Sequence, residues 1–394
     1  MGLPASALSP AQLAAGLAAA RGDLRALIAT LRGDQWTGPY APTLNPPLWE
    51  YGHIVWFQEH WCLRVKPGVD PHASPLLAPL APSRARWVDW LYDSSRIPHA
   101  ARWQAPVLSV AETHAWSDEV LAAVTAKLAG DPPPDDRYYA ELALHHERMH
   151  TEAWWMMWQA RAFAPPKALR LPPLGGGGAL AFPGGTVTLG SAPGSSFVFD
   201  NEKWAHEVAH AAFEIDRRPV THGEFAAFVN AGGYARPDLW SGAGREWLAG
   251  EGAQHPIYWR RDRGRWNVRR FDRWLALPES EAMMHVSRFE AEAYAAWRGA
   301  RLPTVAEWMR GAGDAEFVPG SVWEWTATAF APYPGFEADP YTDYSVPWFD
   351  GAYAELRGAG SFVTDPALAR ATFRNFYTPD RRDPFVGFRT AKSA

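Results

Sequence analysis

The sequence predicts a multidomain protein in which an all-α four-helix bundle precedes an α+β domain. Its 394 residues exceed what one hydrophobic core usually accommodates. The first half reads as long helices, whereas the second half alternates short apolar runs with loops rich in Gly, Pro and Asp. A stretch dense in proline and glycine separates the two halves. We therefore predict a helical domain over 1–165, a linker over 166–184 and an α+β domain over 185–394.

Four helices are predicted in the first half from start signals and helical periodicity. A serine cap followed by proline begins the helix over 9–33. The second helix, over 45–65, is expected to begin at an Asn45 cap with two prolines in its first turn. An S-x-x-E capping box begins the third over 109–130, and the fourth covers about 136–163. Four helices of this length fit an up-down bundle whose core can hold a site.

The fourth helix carries the stretch "ALHHERMHTEAWWMMWQ", in which histidines stand beside many aromatic residues. His146 and His150 are four residues apart and share one helix face, whereas His145 lies about 100° away around the helix. A histidine pair on an apolar face is either hydrogen-bonded within the core or a pair of metal ligands. A metal site needs a third ligand, and the second helix offers two candidates, His53 and His60.

The second half is predicted to contain much irregular structure. The strand candidates are the runs "TVTLGS", "HAAFEIDRRPV" and "ELRGAGSF". Only three segments read as helices, namely "THGEFAAFVNAG", "SRFEAEAYAAWRGA" and "TVAEWMRGAG". Long loops in a compact domain are usually functional, so we expect binding residues in the loops of this half.

The composition excludes several classes of protein. A net charge of −5 with scattered basic residues offers no basic surface for nucleic acid. One cysteine, Cys62, excludes a disulfide framework and every multi-cysteine metal site, and it is typical of a reducing compartment. No stretch approaches the roughly 18 uninterrupted apolar residues of a membrane helix. We therefore expect a cytoplasmic protein with no nucleic-acid or membrane partner, and the sequence does not determine its oligomeric state.

Motifs in both halves resemble known families. In the second half, "HPIYWRRDRGRWNV", "VWEWTATAFAPYPGF" and "RNFYTPDRRDPFVGFRTA" resemble the formylglycine-generating-enzyme type of domain, a modified C-type-lectin fold. In the first half, "GHIVWFQEHW" and "HHERMHTEA" resemble the DinB-like domain, which supplies a three-histidine iron site. Together they are similar to the sulfoxide synthases of ergothioneine biosynthesis. Within that family, "LNPPLWEYGHIVWFQEHW" and "LYDSSRIPHAARW" look most like the selenoneine synthase branch.

The resemblance implies Fe(2+) as cofactor, with His53, His146 and His150 as its ligands. Three imidazoles on one face of an octahedral ion leave open positions for dioxygen and substrate. The alternatives are zinc or nickel in a thiol-transferring or hydrolytic relative of the bundle, or a structural trio without metal. The chemistry of the formylglycine-generating enzymes themselves is excluded, because it depends on a cysteine pair and Cys62 is the only cysteine.

The resemblance also implies roles for residues of the second half. Tyr341 and Tyr344 in "PYTDYS" lie where the family has a catalytic tyrosine that donates a proton or an electron. Asn375 matches an asparagine that contacts the betaine substrate, and the ring of Phe376 suits its trimethylammonium group by cation-π contact. Each prediction has a structural alternative, since Asn375 equally suits the bracing of a loop and a loop tyrosine equally suits packing on tryptophan.

Departures from the family pattern bear on the second substrate. Met149 replaces a glutamine that hydrogen-bonds substrate in some ergothioneine synthases, and Phe376 follows "RN" where those enzymes have an aspartate. Polar contacts to γ-glutamylcysteine are thereby in doubt. The stretch "LYDSSRIPHAARW" supplies Tyr92, Asp93 and Arg96, which suit the hydroxyl groups of a sugar and equally suit a capped loop between helices.

Three functional hypotheses follow from the resemblance and the residues. The leading one is an Fe(II)- and O2-dependent selenoneine synthase that forms a C–Se bond between imidazole C2 of hercynine and a selenosugar. The second is an ergothioneine-type sulfoxide synthase that forms a C–S bond between hercynine and cysteine or γ-glutamylcysteine. The third is a non-catalytic ligand-binding module, against which three converging imidazoles argue.

Overall fold

The computed structural model describes residues 6–65, 81–85, 87–194, 196–358 and 360–394. The chain forms two compact units. The first comprises the described residues up to Met157 with two short segments, Gly194–Phe197 and Asp339–Asp343. The second comprises Trp158–Pro193, Val198–Ala338 and Tyr344–Ala394. The first unit is helical and the second is α+β, so the predicted fold class is confirmed.

Five α-helices begin in the described part of the first unit. They are α1 (Pro10–Ile28), α2 (Pro47–Glu59), α3 (Val88–Leu91), α4 (Val110–Leu128) and α5 (Pro134–Arg161). The long helices are those predicted, and α4 packs against both α1 and α2. A π-helical turn, His60–Arg64, continues α2. Such turns shift the helical phase and are frequent at functional sites.

Two of the three predicted helix caps are confirmed, and one is wrong. Ser9 and Ser109 each accept a hydrogen bond from a backbone N–H in the first turn and complete a capping box. The prediction of an Asn45 cap is wrong, because the cap residue of α2 is Pro46 and the helix begins one residue later at Pro47. A proline there loses no helical hydrogen bond. The Asn45 side chain is free for another role and donates to Glu50 at 3.1 Å.

A buried ion pair fixes the rotation of α5 within the bundle. Arg21 of α1 is 1% exposed and donates from Nε to Glu147 at 2.6 Å. Its Nη2 also donates to the side chain of Gln58 on α2 at 2.9 Å. An unpaired charge at such a depth would cost several kcal/mol, so α5 must turn Glu147 toward Arg21. His146, one residue earlier, therefore faces a different direction, about 100° away around the helix.

The residues described in the second unit form four small sheets. Their strand orders are β1-β4-β12, β10-β9-β8-β11, β2-β3 and β5-β6-β7, and β11 pairs with β8 in parallel whereas the other strand pairs are antiparallel. The strands are β1 (Ala179–Phe182), β2 (Gly185–Leu189), β3 (His206–His210), β4 (Phe213–Asp216), β5 (Trp259–Asp262), β6 (Arg265–Arg270), β7 (Arg273–Ala276), β8 (Trp323–Ala329), β9 (Ala354–Arg357), β10 (Asn375–Tyr377), β11 (Val386–Gly387) and β12 (Ala391–Ser393).

The helices of the second unit are α6 (His222–Asn230), α7 (Gly242–Glu251), α8 (Arg288–Trp297) and α9 (Val305–Ala312). Three were predicted, and α7 was missed because three of its ten residues are glycine, which lowers helix propensity. A Ser241 cap and the end of the helix at Gly252, in the left-handed region, are the signals that would have located it. Strand β1 lies inside the predicted linker and pairs with β4.

Arginine and glutamate pairs in the second unit are buried. Glu355 of β9 binds both Arg357 and Arg374 at 2.6 Å, and each of the three side chains is 1% exposed. Arg389 donates to Glu324 at 2.6 Å. Buried pairs of this kind demand one geometry, so they specify how the short strands are arranged. No helix in the described part of the chain is long and apolar enough to cross a membrane.

Candidate metal centre

Three histidines converge inside the helical unit. His53 lies on α2, and His146 and His150 lie on one face of α5. One ring nitrogen of each lies within 4.8 Å of those of the others. The ring centroids are 5.1 Å apart for His53 and His146, 4.9 Å for His53 and His150, and 4.4 Å for His146 and His150. These three residues, called the histidine trio below, are the ones named from helical phase and family resemblance.

Hydrogen bonds fix the orientation of two rings. Nδ1 of His53 lies 2.7 Å from the carbonyl oxygen of Tyr92, and because a carbonyl only accepts, Nδ1 carries the proton. Nδ1 of His150 donates in the same way to Oε1 of Glu50 at 2.8 Å. Because Nδ1 of each ring is engaged in this way, Nε2 is the nitrogen that each ring can offer to a metal ion. A metal-bound histidine usually donates its other ring N–H to such an acceptor.

Aromatic rings, among them Trp49 and Trp56, pack tightly around the trio. The ring of His146 stacks on Phe57 with centroids 3.5 Å apart and an angle of 5°. His53 stacks on Trp49 at 5.2 Å and 9°, and on Trp56 at 5.9 Å and 25°. Rings held in this way have few alternative rotamers, so the trio is preorganised.

The electrostatic environment keeps two of the imidazoles neutral. Burial holds the pKa of His53 well below its ordinary value, and the nearby His150 lowers it further. Burial also lowers the pKa of His146 strongly, and repulsion from His150 and His53 adds to this effect. Nδ1 of His146 is buried and has no hydrogen-bond partner among the described residues. Neutral imidazoles with free nitrogens directed at one point fit a divalent metal ion such as iron, zinc, copper or nickel.

A cavity of about 400 Å³ lies beside the trio, within the helical unit. Two of its walls come from segments far apart in sequence, the loop after α3 and the segment near residue 341. The cavity is large enough for a small organic molecule. Its lining consists of His53, Trp56, His60, Trp61, Asp93, Ser94, Ser95, Arg96, Tyr341, Thr342 and Asp343.

The loop that contains Asp93 and Arg96 lines the cavity and is also braced internally. Asp93 accepts from the backbone N–H and the hydroxyl of Ser95, at 3.0 and 2.6 Å, and from Nε of Arg96 at 2.8 Å. The loop is therefore both a capped loop between helices and a polar wall of the cavity, which the sequence had offered as alternatives. The terminal nitrogens of Arg96 donate to no acceptor among the described residues, so they are available to a bound molecule.

The two candidate tyrosines lie in different units. Tyr341 lines the cavity, with its ring 4.9 Å from that of Phe57 and 6.3 Å from that of His146. Tyr344 belongs to the second unit and stacks on Phe199 at 4.0 Å and 17°. Of the two, Tyr341 is the one beside the trio.

Two other predicted substrate residues lie outside the cavity lining. Tyr92 is fully buried, and its hydroxyl accepts from the backbone N–H of Leu108 at 3.0 Å. Burial raises the pKa of this phenol to about 12. The contribution of Tyr92 is its carbonyl group, which holds His53. Met149 is half-buried on α5 and is also absent from the lining.

Asn375 and Phe376 lie on β10 in the second unit. Oδ1 of Asn375 accepts from the backbone N–H of Phe376 at 2.8 Å. The ring of Phe376 stacks on Phe330 at 4.0 Å and lies 5.7 Å from Tyr353 and 6.3 Å from Trp348. The predicted aromatic face is therefore part of a cluster of rings.

The remaining histidine candidates lie outside the trio. His60 lines the cavity at the start of the π-helical turn, and its ring lies 5.0 Å from that of Trp56. The ring of His145 lies 5.1 Å from Phe197, and its Nε2 is 3.7 Å from Glu141. The sequence reading missed Glu50, which binds His150. The available signal was an acid three residues before His53, within the apolar first half of α2.

The two halves of the chain match different families. Residues 17–154 match the DinB superfamily. Residues 175–318 and 315–394 match the sulfatase-modifying factor enzyme 1-like domain. The matched ranges agree with a helical part followed by an α+β part.

Two hercynine oxygenases match almost the whole chain. Hercynine oxygenase of Mycobacterium tuberculosis is 34% identical, across 97% of this chain and 99% of its own length. Hercynine oxygenase of Mycolicibacterium thermoresistibile is also 34% identical, across 89% of this chain and 88% of its own. Formylglycine-generating enzyme of Streptomyces coelicolor is 29% identical but covers 55% of this chain. The chain therefore belongs to the hercynine oxygenase family of oxidoreductase enzymes, with a DinB superfamily domain followed by a sulfatase-modifying factor enzyme 1-like domain.

Proposed function

We propose that the chain is an Fe(II)- and O2-dependent enzyme that joins a chalcogen atom to imidazole C2 of hercynine, the trimethylated betaine of histidine. The observation that carries the proposal is the histidine trio, whose ligand atoms lie within 4.8 Å of one another beside a cavity of about 400 Å³. Support comes from the hercynine oxygenase relatives, which are 34% identical to this chain.

His53, His146 and His150 would hold the iron through three nitrogens and leave its other positions open. Bound Fe(II) supplies the redox chemistry that allows dioxygen to react with the substrates. The protein contributes neutral ligands, because burial keeps the pKa of His53 and His146 low. It also contributes a site shielded by aromatic rings, which limits side reactions with water.

Tyr341 is proposed as the group that supplies a proton during the reaction. Its ring lies beside His146 and lines the cavity, so it can reach a molecule bound there. Tyr344 stacks on Phe199, which suits a packing role. For Asn375 and Phe376 the support is the family resemblance, which assigns them to hercynine; a trimethylammonium group cannot donate a hydrogen bond and prefers aromatic faces.

Carbon-sulfur bond formation with cysteine or γ-glutamylcysteine is the reaction that the relatives favour. Forming the C–S bond removes one hydrogen from C2 and one from the thiol, which is a two-electron oxidation. Oxidation of the sulfur to a sulfoxide takes two more electrons. One O2 accepts all four, so that one oxygen atom is retained on sulfur and the other leaves as water.

A selenosugar is the second candidate for the chalcogen donor. The specific observation in its favour is that Asp93, Ser95 and Arg96 line the cavity together with Thr342 and Asp343. Hydroxyls, carboxylates and a guanidinium are the groups that pair with sugar hydroxyls, and Trp56 and Trp61 offer aromatic faces beside them. The same electron balance applies with selenium in place of sulfur.

The activity is tested by anaerobic titration with Fe(II), followed by measurement of oxygen uptake when hercynine and a donor are added. We expect one iron per chain and oxygen uptake only in the presence of hercynine. Mass spectrometry of the product after reaction under ¹⁸O2 should show one labelled oxygen on sulfur. Stoichiometric iron with no consumption of hercynine would reject the proposed reaction.

The donor is tested by competition between cysteine, γ-glutamylcysteine and a selenosugar, with the product identified by mass. A site built for hydroxyls leaves polar groups unpaired when the wrong donor binds, at about 1 to 3 kcal/mol per group. If the selenosugar is the substrate, Asp93→Ala and Arg96→Ala should lower its use more than they weaken hercynine binding. Asp118→Ala, at an exposed ion pair with Arg25, serves as the matched control. Preferential use of a thiol would leave the sulfoxide reaction as the function.

A further inference from the structure

Arg102 lies outside the histidine trio but contacts the supports of two of its members. It belongs to the short 3-10 helix His99–Trp103. Its Nη1 donates to Oδ1 of Asn45 at 2.7 Å, and its Nη2 donates to the carbonyl oxygen of Ser94 at 3.1 Å. The central carbon of its guanidinium group lies 4.2 Å from the centre of the Trp49 ring. One side chain thus joins three segments of the helical unit.

The first branch of contacts leads to His150. Nδ2 of Asn45 donates to Oε2 of Glu50 at 3.1 Å, and Oε1 of Glu50 accepts from Nδ1 of His150 at 2.8 Å. Glu50 is 2% exposed, so water cannot replace these partners freely. Because Arg102 fixes the orientation of the Asn45 amide, Asn45 presents its donor to Glu50 and fixes the plane of the carboxylate.

The second branch leads to His53. The indole of Trp49 stacks on the His53 ring with an angle of 9° between the planes. Nε1 of Trp49 donates to the carbonyl oxygen of Leu91 at 2.6 Å, which limits rotation of the indole. The guanidinium of Arg102 adds a cation-π contact to the same ring system. Arg102 therefore also restrains the surface against which His53 packs.

The third contact reaches the cavity wall. Ser94, whose carbonyl oxygen accepts from Arg102, lines the cavity next to Asp93 and Arg96. The polar wall and the two ligand supports consequently belong to one hydrogen-bonded network. The Nε atom of Arg102 is buried without a partner among the described residues, so the two η nitrogens carry its hydrogen bonds.

We propose that Arg102 is a positioning residue for the metal centre, which orients His53 and His150 through Trp49 and through the Asn45–Glu50 pair. The inference rests on the proposed function only in taking the trio to be a metal site. Groups that hold metal ligands from outside typically change metal affinity about 10- to 100-fold when removed. The effect is expected in metal affinity and in the spectrum of the bound ion, before any substrate is added.

The test is titration of the full-length, metal-free chain with Co(II), read from the visible spectrum of the bound ion. Arg102→Met removes both branches, and Asn45→Ala removes the branch to His150 while it leaves Arg102 over Trp49. We expect about 10- to 100-fold weaker Co(II) binding with a shifted absorption band for Arg102→Met, a smaller loss for Asn45→Ala, and partial recovery in Arg102→Lys. Arg137→Met is the matched control, because Arg137 donates to the carbonyls of Ser6 and Leu8 instead.

Thermal unfolding of each metal-free variant separates positioning from folding. If Arg102→Met lowers the melting temperature far more than Arg137→Met does, Asn45→Ala, which keeps the arginine, is the variant whose Co(II) binding tests the proposal. Co(II) affinity and spectrum unchanged from wild type in both Asn45→Ala and Arg102→Met would overturn the proposal, as would failure of the wild type to bind Co(II). Normal Co(II) binding by a wild type that does not consume hercynine would reject the proposed function alone.

Discussion

The ring of Tyr92 packs directly against the backbone of Gly52, so that a β-carbon at Gly52 would lie 2.2 Å from Cε1 of Tyr92. Real β-carbons do not approach other atoms so closely, and Tyr92 is fully buried. The carbonyl group of the same tyrosine holds the His53 ring. Glycine in the middle of α2 therefore allows a contact on which the orientation of a predicted metal ligand depends.

We predict that Gly52→Ala weakens metal binding. Alanine favours a helix over glycine by about 1 kcal/mol, but here the overlap would displace Tyr92 and its carbonyl group. The expected result is about 10-fold weaker Co(II) binding together with a lower melting temperature. Gly22→Ala is the control, because a β-carbon at Gly22 of α1 would meet nothing within 4 Å and should stabilise the helix. Equal Co(II) affinity in Gly52→Ala and wild type would show that Tyr92 does not hold the ligand.

Substitution of the histidine trio should have a different effect on iron binding from substitution of His145. His53→Ala, His146→Ala and His150→Ala should each abolish iron binding and turnover, because their ligand atoms converge within 4.8 Å. His145→Ala should retain both, since its ring packs against Phe197. Iron content by elemental analysis and oxygen uptake measure the two effects. Loss of iron in His145→Ala with retention in His146→Ala would mean that the helical phase is wrong.

His60 provides a second contrast within the same cavity. It lines the cavity without belonging to the trio. We predict that His60→Ala retains stoichiometric iron and measurable turnover. Iron content reduced to the level of His53→Ala would identify His60 as a ligand.

The two tyrosines should differ in their effect on turnover. Tyr341→Phe keeps the ring contacts to Phe57 and His146 but removes the hydroxyl group. Loss of a general acid typically costs about 10²- to 10⁴-fold in rate, with no change in metal affinity. Tyr344→Phe should stay close to wild type, because Tyr344 stacks on Phe199. Single-turnover rates of the iron-loaded variants make the comparison, and equal rates for the two variants would remove Tyr341 from the mechanism.

Stability should fall in acid because two histidines of the second unit are buried in the neutral form. Burial lowers the pKa of His222 and of His285 to about 3. The unfolded chain, with ordinary histidines near pH 6.5, binds more protons than the folded chain between these values. The free energy of unfolding should therefore decrease as pH falls from about 6.5 toward 3, by up to roughly 1.4 kcal/mol per pH unit for each histidine.

The variant His222→Phe isolates one of these contributions. Both ring nitrogens of His222 are buried without a hydrogen-bond partner among the described residues, so the substitution removes no hydrogen bond of the side chain. We expect the free energy of unfolding of the variant to depend less steeply on pH between pH 6.5 and 5. The difference in slope corresponds to the uptake of up to about one proton fewer on unfolding. Urea unfolding of metal-free protein at several pH values measures the slope. Identical slopes for variant and wild type would contradict neutral burial of His222.

Local rules of the sequence determined much of the helical unit. Capping boxes at Ser9 and Ser109 located two helix starts, because a cap depends only on residues within one turn. The spacing of His146 and His150 placed both on one face of α5, because 3.6 residues complete a turn. Asn45 shows the limit of such rules, since the same residue type caps a helix or serves a side-chain network, and here it binds Glu50.

Family resemblance, and not the sequence pattern, favours His53 over His60 as the third predicted metal ligand. The physical difference between the two histidines lies in their tertiary packing. Both lie along α2 and its π-helical continuation, and both border the cavity. Only His53 has its Nδ1 held by Tyr92 and its second nitrogen near those of α5. Periodicity cannot distinguish them, because they lie seven residues apart and share one helical face.

The sequence by itself determined the fold class, the long helices and a pair of imidazoles on one helical face, because these follow from composition, caps and the helical period. Tertiary structure decided the remainder of the site. Asp93 and Tyr341, far apart in the chain, meet at one cavity, and the Glu50 carboxylate meets His150 across two helices. Contacts of this kind depend on which faces pack together and on the burial of charges that must be paired, and no local sequence pattern encodes either.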